Sequence, residues 1–310
     1  MSKRVRAAVV GVGYLGSFHA EKYASLDDVD LVGVLDADVG RAAVVAERCG
    51  TVVLSGFDAL PGNVDCVSLA VPTPLHHRLG RELLAAGIDV LVEKPMTETV
   101  EEGRELIALA DAGGRILQVG HLERFNPAIR ALADIVTQPR FIECHRLAPF
   151  IERGTDVDVI LDLMIHDLDI ILSLVHSEIA SVEAVGITVL SEHTDIANAR
   201  LRFENGCIAN ITASRVTLKR ERKLRLFQSD AYVSVDYSSK HIQIVRRRFE
   251  GNQPEIYVEE RDLDAGDALY AEIESFVESV RTRRAPLVDG RAALRALEVA
   301  HQIRGCLEAP

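Results

Sequence analysis

The segment "AAVVGVGYLGSFHA" (Ala7–Ala20) constrains what this chain can fold into more than any other. A short apolar run passes directly into Gly11-x-Gly13-x-x-Gly16 and then into a stretch with helical spacing. Strand, glycine turn and helix in that order open a parallel sheet whose first loop can cradle a pyrophosphate. The first glycine permits the tight turn, the second lets the phosphates approach the backbone, and the third lets helix and strand pack closely. The helix N-terminus, with its free amides, favours the anion. "VGVLDAD" then sets Asp36 at the end of the second apolar run, where a carboxylate accepts hydrogen bonds from ribose hydroxyls. These parts predict a dinucleotide site formed by Gly11, Gly13, Tyr14, Leu15, Gly16 and Asp36. A carboxylate at Asp36 repels a 2′-phosphate and so favours NAD over NADP, a preference that Arg41 nearby softens.

The same alternation runs to about residue 120. Apolar, β-rich runs at Arg6–Val10, Leu31–Leu35, Val52–Leu54, Cys66–Ala70, Asp89–Val92 and Ile116–Val119 predict six strands. Helix-like stretches at Tyr14–Ser25, Arg41–Arg48, Leu75–Ala86 and Val100–Ala112 separate them. Such alternation means a parallel sheet covered on both faces, and Gly87 and Gly113-Gly114 fit helix C-termini. Beyond residue 121 the pattern changes. A helix is predicted over Val157–Val175, strands follow from Ser181 to Glu259, and helices at Ala268–Arg283 and Gly290–Leu307 close the chain. The expected architecture is an α/β Rossmann dinucleotide-binding domain (residues 1–121) followed by an α+β domain (residues 122–310). The second domain is expected to hold a large, mostly antiparallel sheet, with its last helices returning toward the first domain.

Ligands of open α/β sheets bind at the carboxyl ends of the strands, and two segments there carry chemistry. Val71-Pro72-Thr73-Pro74 cannot continue a ladder, because proline lacks the amide donor; Val71 and Thr73 are candidate cofactor contacts, although Thr73 equally suits a helix cap. His76 follows as a further candidate, with a structural role as the alternative. The second segment is "VLVEKPMT", in which a run fit for a buried strand breaks into Glu93-Lys94-Pro95. By position alone Lys94 reads as a surface lysine. Farther on, "LDLMIHDLD" sets Asp162 and His166 four residues apart, on one face of a helix otherwise crowded with apolar residues. Asp158 and Asp169 extend that face. Two ligands do not make a metal site, and none is expected. Arg124 and Asn126 suit a diphosphate and sugar hydroxyls, or else cap a helix before Pro127. The basic run "RVTLKRERKLR" reads as a protected sheet edge.

Composition removes other classes. A net charge of −12 argues against nucleic-acid binding. No apolar run reaches the roughly 18 residues of a membrane span, and the start passes into the glycine pattern too soon for a secretory signal. Five scattered cysteines without CxxC spacing read as free thiols, and the expected location is cytoplasmic.

Gly11-x-Gly13-x-x-Gly16, Thr73-Pro74-x-His76, Glu93-Lys94-Pro95 and Asp162-x-x-x-His166, in that order, resemble the Gfo/Idh/MocA oxidoreductases over essentially the whole chain. "VGHLERFNPAI" and "VDVILDLMIHDLD" look most like the branch that oxidises the 3-hydroxyl of UDP-N-acetylglucosamine or a related nucleotide sugar to the 3-oxo sugar. The resemblance implies that Lys94 holds the reacting oxygen and that His166 serves as general base oriented by Asp162, with Lys94 as the alternative base. It implies that Lys94, Arg124, Asn126, Asp162 and His166 meet substrate, and that Glu93 contacts cofactor or holds Lys94. A homodimer or homotetramer through the open face of the second sheet is also implied. The rival readings are a dehydrogenase of a free sugar or inositol and a non-catalytic, NAD-binding regulator.

Overall fold

The computed structural model describes residues 4–151, 157–250, 253–263 and 266–308. Its contacts divide the chain into two compact units. The first runs to Leu122 and includes Asp267–Leu294; the second comprises Glu123–Gly266 and the chain from Arg295 onward.

The first unit is built on β1 (Val5–Val10), β2 (Val29–Leu35), β3 (Cys66–Leu69), β4 (Asp89–Glu93) and β5 (Leu117–Gly120), all parallel, in the order β2-β1-β3-β4-β5. Helices α1 (Tyr14–Ser25), α2 (Val39–Cys49), α3 (His76–Ala85) and α4 (Val100–Gly113) make the crossovers. β3 and β5 are buried along their whole length, as strands covered on both faces must be. The helix ends follow local chemistry. Asp38 caps α2 through the amide of Arg41, and Thr99 with Glu102 forms a capping box on α4. Gly50 and Gly114 end α2 and α4 in the left-handed conformation.

One expected strand is absent. Val52–Leu54 makes a single parallel bridge, Val53 with Val34, and the sheet has five strands instead of six. The segment lies so close to β2 that a Cβ on Gly33 would stand 2.7 Å from the Leu54 side chain. Three residues supply one bridge and no ladder beyond it.

The second unit holds α5 (Pro127–Arg130), β6 (Phe141–Leu147), α6 (Ile165–Leu174), β7 (Ile179–Ile187), β8 (Ile196–Phe203), β9 (Ile208–Ser214), β10 (Glu221–Gln228), β11 (Ala231–Asp236), β12 (His241–Glu250) and β13 (Gln253–Asp262). Its eight strands are ordered β13-β12-β11-β10-β6-β9-β8-β7, antiparallel throughout except for the β6–β9 pair. Buried and partly exposed residues alternate along β6, β8 and β11, the pattern of a sheet covered on one face. The central strand β6 was not anticipated: the inward positions of "FIECHRL" are Ile142, Cys144 and Arg146, and the charged Arg146 hides the apolar period. Helices α7 (Ala268–Thr282) and α8 (Gly290–Glu308) complete the chain. α7 packs in the first unit, where Ile273, Phe276 and Val277 share one buried cluster with Ala7, Tyr23 and Val45.

Candidate active site

The three glycines of the first loop do different work. Gly11 has φ +83°, and a Cβ there would stand 2.6 Å from the Ala70 carbonyl oxygen. A Cβ on Gly16 would reach 1.8 Å from the Gly11 carbonyl oxygen, so α1 touches the turn it follows. Gly13 differs: a Cβ there meets no described atom within 4 Å. It is also the N-cap of α1, without a side chain to bond the first helical amides. The loop is therefore closed at Gly11 and Gly16, where it packs, and open at Gly13, beside the first amides of α1. Tyr14 and Leu15 begin the helix at that opening, with the Tyr14 ring edge-on to Phe18.

Asp36 stands at the end of β2 and is bound into the same loop. It accepts from the amide of Val12 at 2.7 Å, from the amide of Asp38 at 2.8 Å and from the Arg41 guanidinium at 3.1 Å. A carboxylate has about four acceptor sites, so capacity for a ribose hydroxyl remains. Free space at Gly13, helical amides and a poised carboxylate fit the adenosine diphosphate half of a dinucleotide.

β4 delivers Glu93 and Lys94 to this same edge, followed by Pro95 through a cis peptide bond. His76 is buried, and its two ring nitrogens lie 2.8 Å from the Val71 carbonyl oxygen and 2.9 Å from that of Pro95. Burial holds its imidazole below the usual range, although both carbonyls pull the other way. A neutral ring carries one N–H and so donates to only one of these carbonyls, but both nitrogens are turned to the chain, in line with the structural alternative for His76. Thr73 opens a short 3-10 turn ahead of α3, whose N-cap is Leu75, so it is not that helix's cap.

Glu93 turns inward. Its carboxylate lies 2.9 Å from His19 Nε2, and a Cβ on Gly120 would meet it at about that distance, so β5 leaves room for it. Burial raises the Glu93 carboxyl, but the His19 hydrogen bond and the charges of His19, Lys94 and His76 outweigh it and hold the group below the usual range. His19 continues to Ser68 Oγ at 3.1 Å, which Tyr23 Oη meets at 2.9 Å. Glu272, on α7, completes this buried group. The sequence reading missed both His19 and Glu272; the available signal was a polar side chain at a core position of each helix.

In the second unit, the expected helix over Val157–Val175 is a π-helical turn at Ile160–Met164 running into α6. Such turns are frequent at functional sites. Asp162, Leu163 and His166 form its partly exposed stripe, while Leu161, Met164, Ile165 and residues 167–172 are buried. Asp158 and Asp169 leave the expected stripe. Asp158 caps the turn through the amides of Ile160 and Leu161 and pairs with Arg304 at 2.7 Å. Asp169 is buried against Arg124 at 3.3 Å.

Asn126 fills the capping role that was one of its two expected parts. It is buried, caps α5 through the amide of Ala128, and its own amide donates to Glu123 and to the Tyr237 carbonyl. Behind the α6 stripe, Arg146 on β6 makes a two-pronged pair with Asp167 at 2.8 Å and reaches Glu123 at 3.1 Å. Burial would lower the Arg146 guanidinium, but Asp167 and Glu123 hold it well above its usual value. This pair fixes the rotation of α6 and hence the direction of its polar stripe.

Two family models match the chain: an oxidoreductase family with an NAD-binding Rossmann fold over residues 5–121, and the GFO/IDH/MocA C-terminal domain over residues 136–234. The chain belongs to the Gfo/Idh/MocA oxidoreductase family. Among members of that family, a UDP-N-acetylglucosamine 3-dehydrogenase of Acidithiobacillus ferrooxidans is 41% identical over 98% of both chains. A solved structure of that enzyme superposes with a TM-score of 0.94 at 40% identity, covering 99% of this chain and 98% of the other. A scyllo-inositol 2-dehydrogenase (NAD+) of Bacillus subtilis is 27% identical over 96% of this chain and 93% of its own. A levoglucosan dehydrogenase solved with NADH shares the fold at 15% identity, with a TM-score of 0.87 over 98% of this chain and 97% of the other. As a Gfo/Idh/MocA member, the protein is an NAD-binding dehydrogenase with a dinucleotide domain and a sheet domain. Its five cysteines are free thiols, and no helix among the described residues is long and apolar enough to cross a membrane.

Proposed function

We propose that this protein oxidises the 3-hydroxyl of UDP-N-acetylglucosamine, or of a closely related nucleotide sugar, with NAD as cofactor. One observation carries the reading: the similarity to the A. ferrooxidans UDP-N-acetylglucosamine 3-dehydrogenase runs over 98% of both chains and therefore takes in both units. A carboxylate at Asp36 supports NAD over NADP, a preference softened by Arg41, which donates to it at 3.1 Å.

The loop of Gly11, Gly13 and Gly16 with Asp36 would hold the dinucleotide, which would supply the hydride acceptor for oxidation of a carbinol carbon. Lys94 hydrogen-bonds the hydroxyl oxygen and stabilises negative charge as the proton leaves. His166 takes that proton, with Asp162 orienting the imidazole or holding a neighbouring hydroxyl. Arg124, already tied to Asp169, stands ready for the anionic part of the substrate. Asn126 and Arg146 hold the scaffold around these groups. The product of this oxidation would be the 3-oxo sugar.

Incubation with NAD and a panel of UDP-sugars, free sugars and inositols tests the reading, with the keto product read by mass spectrometry. The expected result is a kcat/KM for UDP-N-acetylglucosamine at least about 100-fold above that for N-acetylglucosamine, equivalent to roughly 2.7 kcal/mol of transition-state binding. Turnover of a free sugar or inositol without dependence on UDP would replace this substrate. An NAD-binding protein that turns over nothing on the panel would favour the regulator.

A further inference from the structure

Glu272 is fully buried in α7, and neither of its carboxylate oxygens has a hydrogen-bond partner among the described residues. Leaving a buried carboxylate without donor or cation is costly, and the ordinary escape is to keep a proton. The groups around it explain why no counter-charge arrives. His19 from α1 and Glu93 from β4 present ligand atoms that, with one from Glu272, all lie within 4.8 Å of one another. His19 is already engaged on both sides, by Glu93 and by Ser68. Tyr23, also on α1, is spent on Ser68, and its hydroxyl is pushed well up by burial. From β3, Cys66 is held as a neutral thiol by burial. From β5, the Gln118 amide donates to the Glu272 backbone carbonyl and not to its side chain. Lys94 adjoins Glu93, and His76 faces it from α3; both bear on Glu93. Among the described residues, the one strong charge bearing on Glu272 is thus another carboxylate, Glu93.

We propose that Glu272 carries a proton at neutral pH and turns it toward Glu93, so that Glu272, Glu93 and His19 form a buried proton-sharing set behind the peptide bearing Lys94. Burial and the neighbouring Glu93 charge both push the Glu272 carboxyl well above its usual range. The neutral acid lets Glu93 stay ionised and seated against Gly120 and His19, instead of being repelled from them. Glu272 is a positioning residue: it touches neither substrate nor cofactor, and fixes the residue that precedes Lys94. That consequence for Lys94 rests on the dehydrogenase reading above; the proton itself does not.

The sign of the pH effect follows from linkage. An unfolded Glu272 ionises near pH 4.3, whereas the folded one retains its proton well beyond that. Between these two values the folded state binds one more proton, so this residue's contribution to stability declines as pH rises. Glu272→Gln keeps the shape and the donor but has nothing to titrate. The melting temperature of E272Q minus that of the wild type should therefore grow from about pH 5 to about pH 8. Infrared difference spectra at neutral pH should show a protonated carboxyl band in the wild type that E272Q lacks. A pH-independent melting difference with no such band would overturn the proposal. So would one equivalent of a divalent cation in metal analysis of the protein as isolated, because a cation would displace the proton. None of these measurements depends on the substrate.

Discussion

Lys94 stands where β4 leaves the core. The strand is buried from Asp89 to Val92, and Glu93 and Lys94 are the first residues to emerge, half-buried, at the ligand edge. Its neighbours divide the labour: Glu93 turns inward to His19, and the Pro95 carbonyl is held by His76. Lys94→Met keeps much of the stem but removes the charged hydrogen-bond donor. It should lower kcat by roughly 10²–10⁴-fold, the span usual for loss of a catalytic proton-transfer or charge-stabilising group. NAD binding, followed by ligand-induced change in melting temperature, should persist because the glycine loop and Asp36 are untouched. Wild-type kcat in this variant would remove Lys94 from the chemistry.

At the scale of elements, the β1–α1 loop separates residues needed for folding from residues reserved for ligand. Gly16→Ala drives a methyl group into the Gly11 carbonyl and should destabilise the protein by about 1–3 kcal/mol in denaturant melts, as overpacking does. Gly13→Ala meets no described atom and should leave the melting temperature without cofactor within about 1–2 °C of wild type. The same variant should lose most of the stabilisation that NAD confers, because the new methyl occupies the phosphate approach. Equal NAD stabilisation in wild type and Gly13→Ala would show that the pyrophosphate does not lie there. The polar stripe makes a parallel case, since the partly exposed Asp162 of the π-helical turn and His166 of α6 are aimed by the Arg146–Asp167 pair on the hidden side.

For the whole molecule, the eight-stranded sheet raises the matter of association. Val185 and Ile187 on β7 and Ile256 and Val258 on β13 are all at least half exposed, and these two strands are the sheet's edges. Apolar surface on a sheet with one uncovered face is the usual material of a symmetric interface. We propose that a second copy of this chain covers it. Light scattering after size exclusion should give a dimer or larger at micromolar concentration, and the double variant Ile256→Asp, Val258→Asp should shift it toward monomer. A monomeric wild type would exclude the interface.

The glycine spacing, Asp36, the alternation of the first unit and the Glu93-Lys94-Pro95 corner were legible in the sequence because each depends on residues near one another in the chain. α1 occupies the predicted span, Tyr14–Ser25, since its limits are set by Gly13 and by the apolar period. Readings that required knowing where a side chain points were not legible. Asn126 and His76 have the chemistry of ligand contacts, yet their polar atoms are turned to groups of the chain itself. Glu272 lies 179 residues from Glu93, and only the docking of α7 brings their carboxyls within 4.8 Å. Local sequence determined which elements form and which residue types reach the ligand edge, because torsional preference and hydrophobic period act over a few residues. Tertiary packing decided which polar groups are spent on the scaffold and which carboxyl keeps its proton, because desolvation and partner choice depend on neighbours distant in the chain.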